Sequence, residues 1–348
     1  MKKIYFLFYV CVILALLNGC MRISPAIPVP VPSLPSSPSP VPTSPVPTPL
    51  PLPLMPVEER YAPILYFDSK EKIPLTSIDA ILNAGVDLMG DKAVVQNKLI
   101  AKNVTKDILA KYPDPVVNIG GDKYELMLDY KGQITAYVNE IYFNKKIIAN
   151  NTYIQYWFTY SLNDIFAIGG GSTIKACGNH EGEWEHIAVK INNTRLATAK
   201  TDKDFVLAID EIYFAQHARS QHPERKFLKP TDMGVYFENT HVKVFVAAGT
   251  HASYNSPSSG IGYYLVSVLG TPLYDQADGR GQVVKTHQGR LVDLNKQPWI
   301  NYGGRWGKVS HGLCSVIEWF SDASNDGPLG PAAGDNKVYF ERSEWYNK

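Results

Sequence analysis

The chain has 348 residues, 45% hydrophobic and 11% aromatic, with 34 Lys and Arg against 33 Asp and Glu. A net charge of +1 provides no basic field for a phosphate backbone, so nucleic acid is not an expected partner, and this aromatic content excludes wholesale disorder. Proline is the anomaly, because 14 of the 25 prolines fall between residues 24 and 56 and length therefore overstates the part that can bury a core.

Lys2 and Lys3 precede an apolar run from Ile4 to Leu17, too short to cross a ~30 Å hydrocarbon core but suited to a signal peptide. The run closes on Leu17-Asn18-Gly19-Cys20, which resembles the lipobox of bacterial lipoproteins. That resemblance implies that residues 1–19 are removed and that Cys20 becomes a lipid-carrying N-terminus. An ordinary secretory signal with an incidental cysteine is the alternative. Met21 stands where an aspartate would retain such a lipoprotein at the inner membrane, so the expected location is the bacterial cell envelope, anchored by lipid in the outer membrane.

Residues 20–56 then read as the anchor and a Pro-rich stalk, with no charge between Arg22 and Glu58. Such a tract donates few ladder hydrogen bonds and packs no core; in polyproline II, at ~3.1 Å per residue, it spans up to roughly 100 Å. Residues 57–348 remain as a single folded domain. Its cysteines are Cys177 and Cys314, which an oxidising envelope invites into a disulfide, two buried free thiols being the alternative.

The domain begins with a predicted strand at Tyr61 to Phe67. Thr76 or Ser77 caps a predicted helix to about Met89, and a shorter one runs from Thr105 to Lys111. Strands dominate thereafter: Tyr124 to Tyr130, Ile134 to Phe143, Tyr153 to Ser161, Glu183 to Ile191, Glu211 to His217 and Val242 to Ala248 are rich in β-branched and aromatic residues. The expected fold is mainly β, a β-sandwich with long loops and a few peripheral helices.

Chemistry is densest in Asn179-His180-Glu181-Gly182-Glu183-Trp184-Glu185-His186. On a strand, Glu183 and Glu185 share a face with Ile187, Val189 and Ile191, while Trp184 and His186 take the other. Two carboxylates ~6.5–7 Å apart at the rim of a core repel unless something cationic lies between them. Lys or Arg is one solution. A divalent cation is the other, and His180 on a Gly-flexed approach favours it. Oxygen donors with one imidazole suit Ca, Mg or Mn better than zinc.

Other motifs are missing. Trp184 stands where the H-E-x-x-H zinc helix needs its second histidine, and there is neither a G-x-S-x-G elbow nor a Walker loop. The Glu183/Glu185 pair fits the carboxylate spacing of a glycosidase, although those carboxylates usually come from separate strands. Ser253, His251 and Asp164 assemble into a Ser-His-Asp set only in the way that any chain of this size permits.

The ordered segments Tyr61-Ala-Pro-Ile-Leu-Tyr-Phe67, Lys72-Ile-Pro-Leu-Thr-Ser77, His180-Glu-Gly-Glu-Trp-Glu185, Phe214-Ala-Gln-His217, Val246-Ala-Ala-Gly-Thr-His251-Ala-Ser-Tyr254, Gly304-Arg-Trp-Gly307 and Gly327-Pro-Leu-Gly-Pro331 resemble the vacuolar protein sorting-associated protein 62 family. The family's H-x-G-D-W-E carries Glu183 here in place of the aspartate, which lengthens one arm. A more distant likeness is to the necrosis- and ethylene-inducing-like cytolysins, whose G-H-R-H-D-W-E holds a divalent cation in a β-sandwich that engages sphingolipid sugar headgroups. That resemblance implies His180, Glu183 and Glu185 as metal ligands. The family's second histidine falls on Gly182, and Asp164 is the candidate for its separate upstream aspartate.

His217 and His251 end predicted strands and serve as core histidines or as additional site residues. Trp184 reads as a core plug. Tyr254, Arg305 and Trp306 form a stacking surface for a sugar or headgroup, or pack inside. The expected function is a lipid-anchored envelope protein that binds a divalent cation and a glycan or lipid headgroup. The alternatives are a metal-dependent hydrolase of an ester or glycosidic bond, with His217 or His251 as proton carrier, and a structural envelope protein.

Overall fold

The computed structural model describes residues 55–92, 96–130, 134–164, 180–215, 227–258, 263–268, 271–308 and 327–333. Cys11, Cys20, the Pro-rich tract before Met55, Cys177, His217 and Cys314 lie outside them. A short helix α1 (Val57–Arg60) leads into strand β1 (Ile64–Phe67). Helix α2 (Ile78–Asn83) is capped by the Ser77 hydroxyl, which accepts from the Ala80 N–H. Strands β2 (Asp87–Lys92) and β3 (Gln96–Ala101), helix α3 (Lys106–Leu109), and strands β4 (Val116–Ile119) and β5 (Asp122–Asp129) follow. Then come β6 (Glu140–Ile148), β7 (Asn151–Asn163) and β8 (His180–Asn192). Helices α4 (Asn193–Thr198) and α5 (Asp202–Leu207) turn the chain into β9 (Ile209–Phe214). The remaining strands are β10 (Phe237–Glu238), β11 (His241–Val246), β12 (Ser253–Tyr254), β13 (Tyr263–Val268), β14 (Thr271–Asp275), β15 (Val283–Lys285) and β16 (Arg290–Asp293).

The fold is mainly β, as expected, with several boundaries corrected: β1 starts at Ile64 rather than Tyr61, and β11 ends at Val246 rather than Ala248. The helix that starts after Ser77 ends at Asn83 rather than near Met89, because Gly85 takes a left-handed φ of 88° and the following residues pair with β5 as a strand. The strand expected from Ile134 begins only at Glu140.

Two five-stranded sheets face each other. One has the order β10-β11-β1-β15 with β12 on β11, and the other β16-β6-β7-β8-β9. Between them lies a core of Leu65, Phe67, Val244 and Val246 against Tyr156, Phe158, Tyr160, Ile187 and Val189. The second sheet is covered on its other face as well. There Tyr142, Trp157 and Trp184 pack with Leu88, Leu126 and Leu128 of the β3-β2-β5-β4 sheet, with α2, and with Trp299 and Trp306. Burial therefore runs almost unbroken along β7 instead of alternating. Each large side chain so enclosed contributes roughly 1.5–3 kcal/mol.

Trp184 is a core residue, in edge contact with Tyr142, Trp157 and Trp306. The stacking surface is corrected: Tyr254 and Trp306 are buried and present no face to a ligand. Tyr254 spends its hydroxyl on Asp275, and an Arg305 N–H donates to the Gly327 carbonyl.

Candidate functional site: a buried acid and histidine cluster at one end of β8

Strands β7 and β8 pair antiparallel, setting Asn163 opposite His180, Tyr160 opposite Glu183 and Phe158 opposite Glu185. Glu183 and Glu185, both buried, extend the face of Ile187 and Val189 as the period of two requires. His180 and Glu183, three residues apart, belong on opposite faces of a regular strand. Gly182 removes that separation with a φ of 70°, and a Cβ there would strike the Trp306 carbonyl. The kink brings His180 Nε2 to 3.5 Å from Glu183 Oε2.

His180 is oriented from behind. Its Nδ1 lies 2.9 Å from the Gly182 carbonyl, and because a carbonyl only accepts, Nδ1 carries the proton and Nε2 the lone pair. The Asn163 side-chain amide donates to that lone pair at 2.9 Å, while Asn163 Oδ1 is buried without a hydrogen-bond partner. Glu183 Oε2 is likewise buried and accepts no hydrogen bond. Burial pushes the Glu183 carboxyl up to about 8, against the N–H that Trp184 offers it.

The Tyr160 ring forms the inner wall, its hydroxyl buried without a partner. Burial, together with the negative charges of Glu185, Glu71 and Glu183, pushes the phenol well above its usual range. His251 stacks on Tyr160 with ring centroids 3.8 Å apart, and its Nε2 faces Glu71 Oε2 at 3.5 Å. Burial acts to raise the Glu71 carboxyl, but His251 and the N–H groups of Gly249 and Ile73 outweigh it and hold Glu71 at about 2.

No family model matches the chain, and no curated protein matches it. Solved structures with some likeness include necrosis- and ethylene-inducing-type proteins. Necrosis and Ethylene inducing Protein 2 from the causal agent of cocoa's witches' broom disease is 15% identical over 73% of this chain and 79% of that one, with a TM-score of 0.30. The non-toxic HaNLP3 protein is 14% identical over 74% and 83%, with a TM-score of 0.32. NLPPya in complex with mannosamine is 12% identical over 81% and 85%, with a TM-score of 0.32. At such scores the backbones diverge widely, and the site stands on its own side chains.

Of the sequence-predicted residues, His180 and Glu183 meet, Glu185 lies buried on the same face, and His251 lies behind Tyr160. Asp164 is exposed at the rim, its N–H donating to the Gly249 carbonyl at 3.1 Å. Among the described residues no three His, Cys, Asp or Glu side chains group as a closed cation cage does. The residues that could hold a hard cation here are His180 and Glu183, whose Nε2 and Oε2 lie 3.5 Å apart, and Asn163, whose amide nitrogen faces His180 and whose Oδ1 has no hydrogen-bond partner, with Glu185 buried on the face of Glu183. Neither Asn163 nor Glu71 was singled out by the sequence. Asn163 was discoverable only as the residue that a β7-β8 hairpin sets opposite His180.

Proposed function

We propose that this is a lipid-anchored envelope protein whose β-sandwich holds a divalent cation at His180 and Glu183, with Glu185 and Asn163 beside them, and binds a glycan or lipid headgroup there. In this proposal it belongs to the vacuolar protein sorting-associated protein 62 family, whose motifs its own ordered segments resemble. One observation carries the site: a buried carboxyl oxygen with no hydrogen bond faces an imidazole lone pair that the Gly182 carbonyl has already oriented. That is how histidine ligands are commonly held, with the far nitrogen donating to a fixed acceptor.

Glu183 and His180 supply one oxygen and one nitrogen, and Asn163 a second oxygen once its amide turns over, a set suited to Ca²⁺, Mg²⁺ or Mn²⁺. A bound cation supplies positive charge to buried carboxylates and open coordination positions to vicinal hydroxyls. Calorimetric titration of chelator-treated protein with the three ions, followed by glycan and lipid arrays with and without chelator, tests both halves. Saturable heat together with chelator-sensitive binding supports the proposal. Absence of heat for all three ions overturns the metal site, and turnover on the arrays would replace recognition by hydrolysis.

A further inference from the structure

Away from that site two histidine rings lie face to face. His241, the first residue of β11, and His287, in the 3₁₀ turn Thr286–Gln288 after β15, have centroids 3.8 Å apart and planes within 9° of parallel. His241 is buried, and its Nδ1 donates to the Ala62 carbonyl at 2.7 Å. His287 Nδ1 is buried without a hydrogen-bond partner. The residue before each histidine reinforces the contact. Thr240 Oγ1 donates to the Arg60 carbonyl at 2.6 Å, and Thr286 Oγ1 donates to the Pro63 carbonyl at 2.6 Å. The carbonyls of residues 60, 62 and 63, on the segment joining α1 to β1, are thus tied to the leading end of β11 and the trailing end of β15, the two neighbours of β1.

We propose that the stacked His241 and His287 pair is an acid-operated fastener for the Arg60 to Pro63 segment, closed while both rings are neutral and released when both are protonated. Parallel imidazoles at 3.8 Å tolerate one proton between them far better than two, because a second sets like charges at contact distance. Parallel rings also aim their lone pairs side by side, which disfavours both converging on a single metal ion. The charged groups around the rings oppose one another: Glu238 favours charge on both histidines and Lys285 disfavours it, while burial outweighs both. Glu238 on β10 and Lys285 on β15 pair with each other at 2.6 Å, Asp202 on α5 favours charge on His241, and the Arg60 guanidinium is turned over the Phe205 ring at 3.8 Å.

Burial is the largest influence at both rings and lowers both below the usual histidine range; at His287 the His241 ring and Lys285 push the same way. The released chain therefore binds protons more readily than the fastened one. The fastened state is favoured above about pH 6.5 and loses ground as the pH falls below it.

Hydrogen exchange of the full chain, read by mass spectrometry on peptides covering residues 57–64 and corrected for intrinsic rates, tests the fastener. Between pH 7.5 and 5.5 the protection factor of this segment should fall about 10-fold more in the wild type than in His287→Phe, which keeps a stacked ring and cannot titrate. His241→Asn, whose amide N–H replaces the Nδ1 donor, should also lose the acid response. Equal falls in all three proteins overturn the proposal. If neither variant folds, imidazole titration of the wild type by NMR decides it: two rings titrating below 6.5 support the fastener, and all rings titrating at or above 6.5 sink it.

Discussion

Asn163 and His180 face each other across the β7-β8 ladder, and the same imidazole lone pair that a cation needs is filled by the Asn163 amide nitrogen at 2.9 Å. Ion binding requires that amide to turn over, which delivers the unpartnered Oδ1 to the ion. Asn163→Asp should tighten divalent-cation binding about 10-fold by adding a formal charge to the donor set, and Asn163→Leu should weaken it at least as much. Isothermal calorimetry on the chelated variants reads both. Identical affinities would show that Asn163 only orients His180.

The Glu183 carboxyl, held at about 8, is mostly protonated at pH 7, so a cation that takes its oxygen must displace the proton. Close to one proton per ion should be released at pH 7 and almost none at pH 9, a difference visible when the titration is repeated in buffers of different ionisation enthalpy. Glu183→Gln should abolish that release. Without cation the sign reverses the usual carboxylate rule: the folded state keeps a proton that the unfolded chain has lost, so this group's contribution to stability falls as pH rises from about 4.5 to 8.

Gly182→Ala should cost more than the ~1–3 kcal/mol of left-handed strain alone, because the added methyl meets the Trp306 carbonyl. Gly121→Ala is the matched control, with φ 91° and open space around the built Cβ. Melting temperatures of the two variants should differ by several degrees. Similar losses would mean that the chain at residue 306 yields without penalty.

Glu71 contributes stability that is fully present above about pH 4.5 and drains away as the pH falls toward 2. Glu71→Gln should flatten that acid limb of the stability curve and destabilise the protein at pH 7 by about 3 kcal/mol. Urea unfolding across pH 2.5 to 7 gives both quantities. An unchanged acid limb would assign the acid sensitivity elsewhere.

The proposed lipid anchor is tested at Cys20. Cys20→Ala should move the protein from the membrane to the soluble fraction and leave its precursor unprocessed. A variant that fractionates with membranes and is trimmed normally would remove the anchor from the proposal.

The long strands were legible because their signal is local: Tyr153 to Ser161 and Val242 to Ala248 spell β-branched and aromatic residues between turn formers; the first lies within β7, and the second overlaps β11, which ends at Val246. The faces of β8 were legible for the same reason, Glu183 and Glu185 on one side and Trp184 on the other. What sequence withheld is long-range. The parallel pairing of β1 with β11 joins residues about 180 apart and leaves no mark in either segment. Glu71 sits in Asp68-Ser-Lys-Glu-Lys72, which reads as a solvated loop, and only the return of Gly249, whose N–H reaches its carboxylate at 2.6 Å, turns it into a buried anchor. Asn163 carries no periodic signal, and its role exists only once a partner strand lies beside it.

The middle sheet is a party wall between two interiors, with Phe158 facing one and Trp157 the other. A wall loaded from both sides does not soften piecemeal, so the amides of β7 and of β8 beyond Glu183 should exchange only when the whole domain opens. Occupancy of the site would then lengthen the life of the entire fold instead of ordering one flap, and a ligand bound there would be felt as persistence at every amide of the two strands.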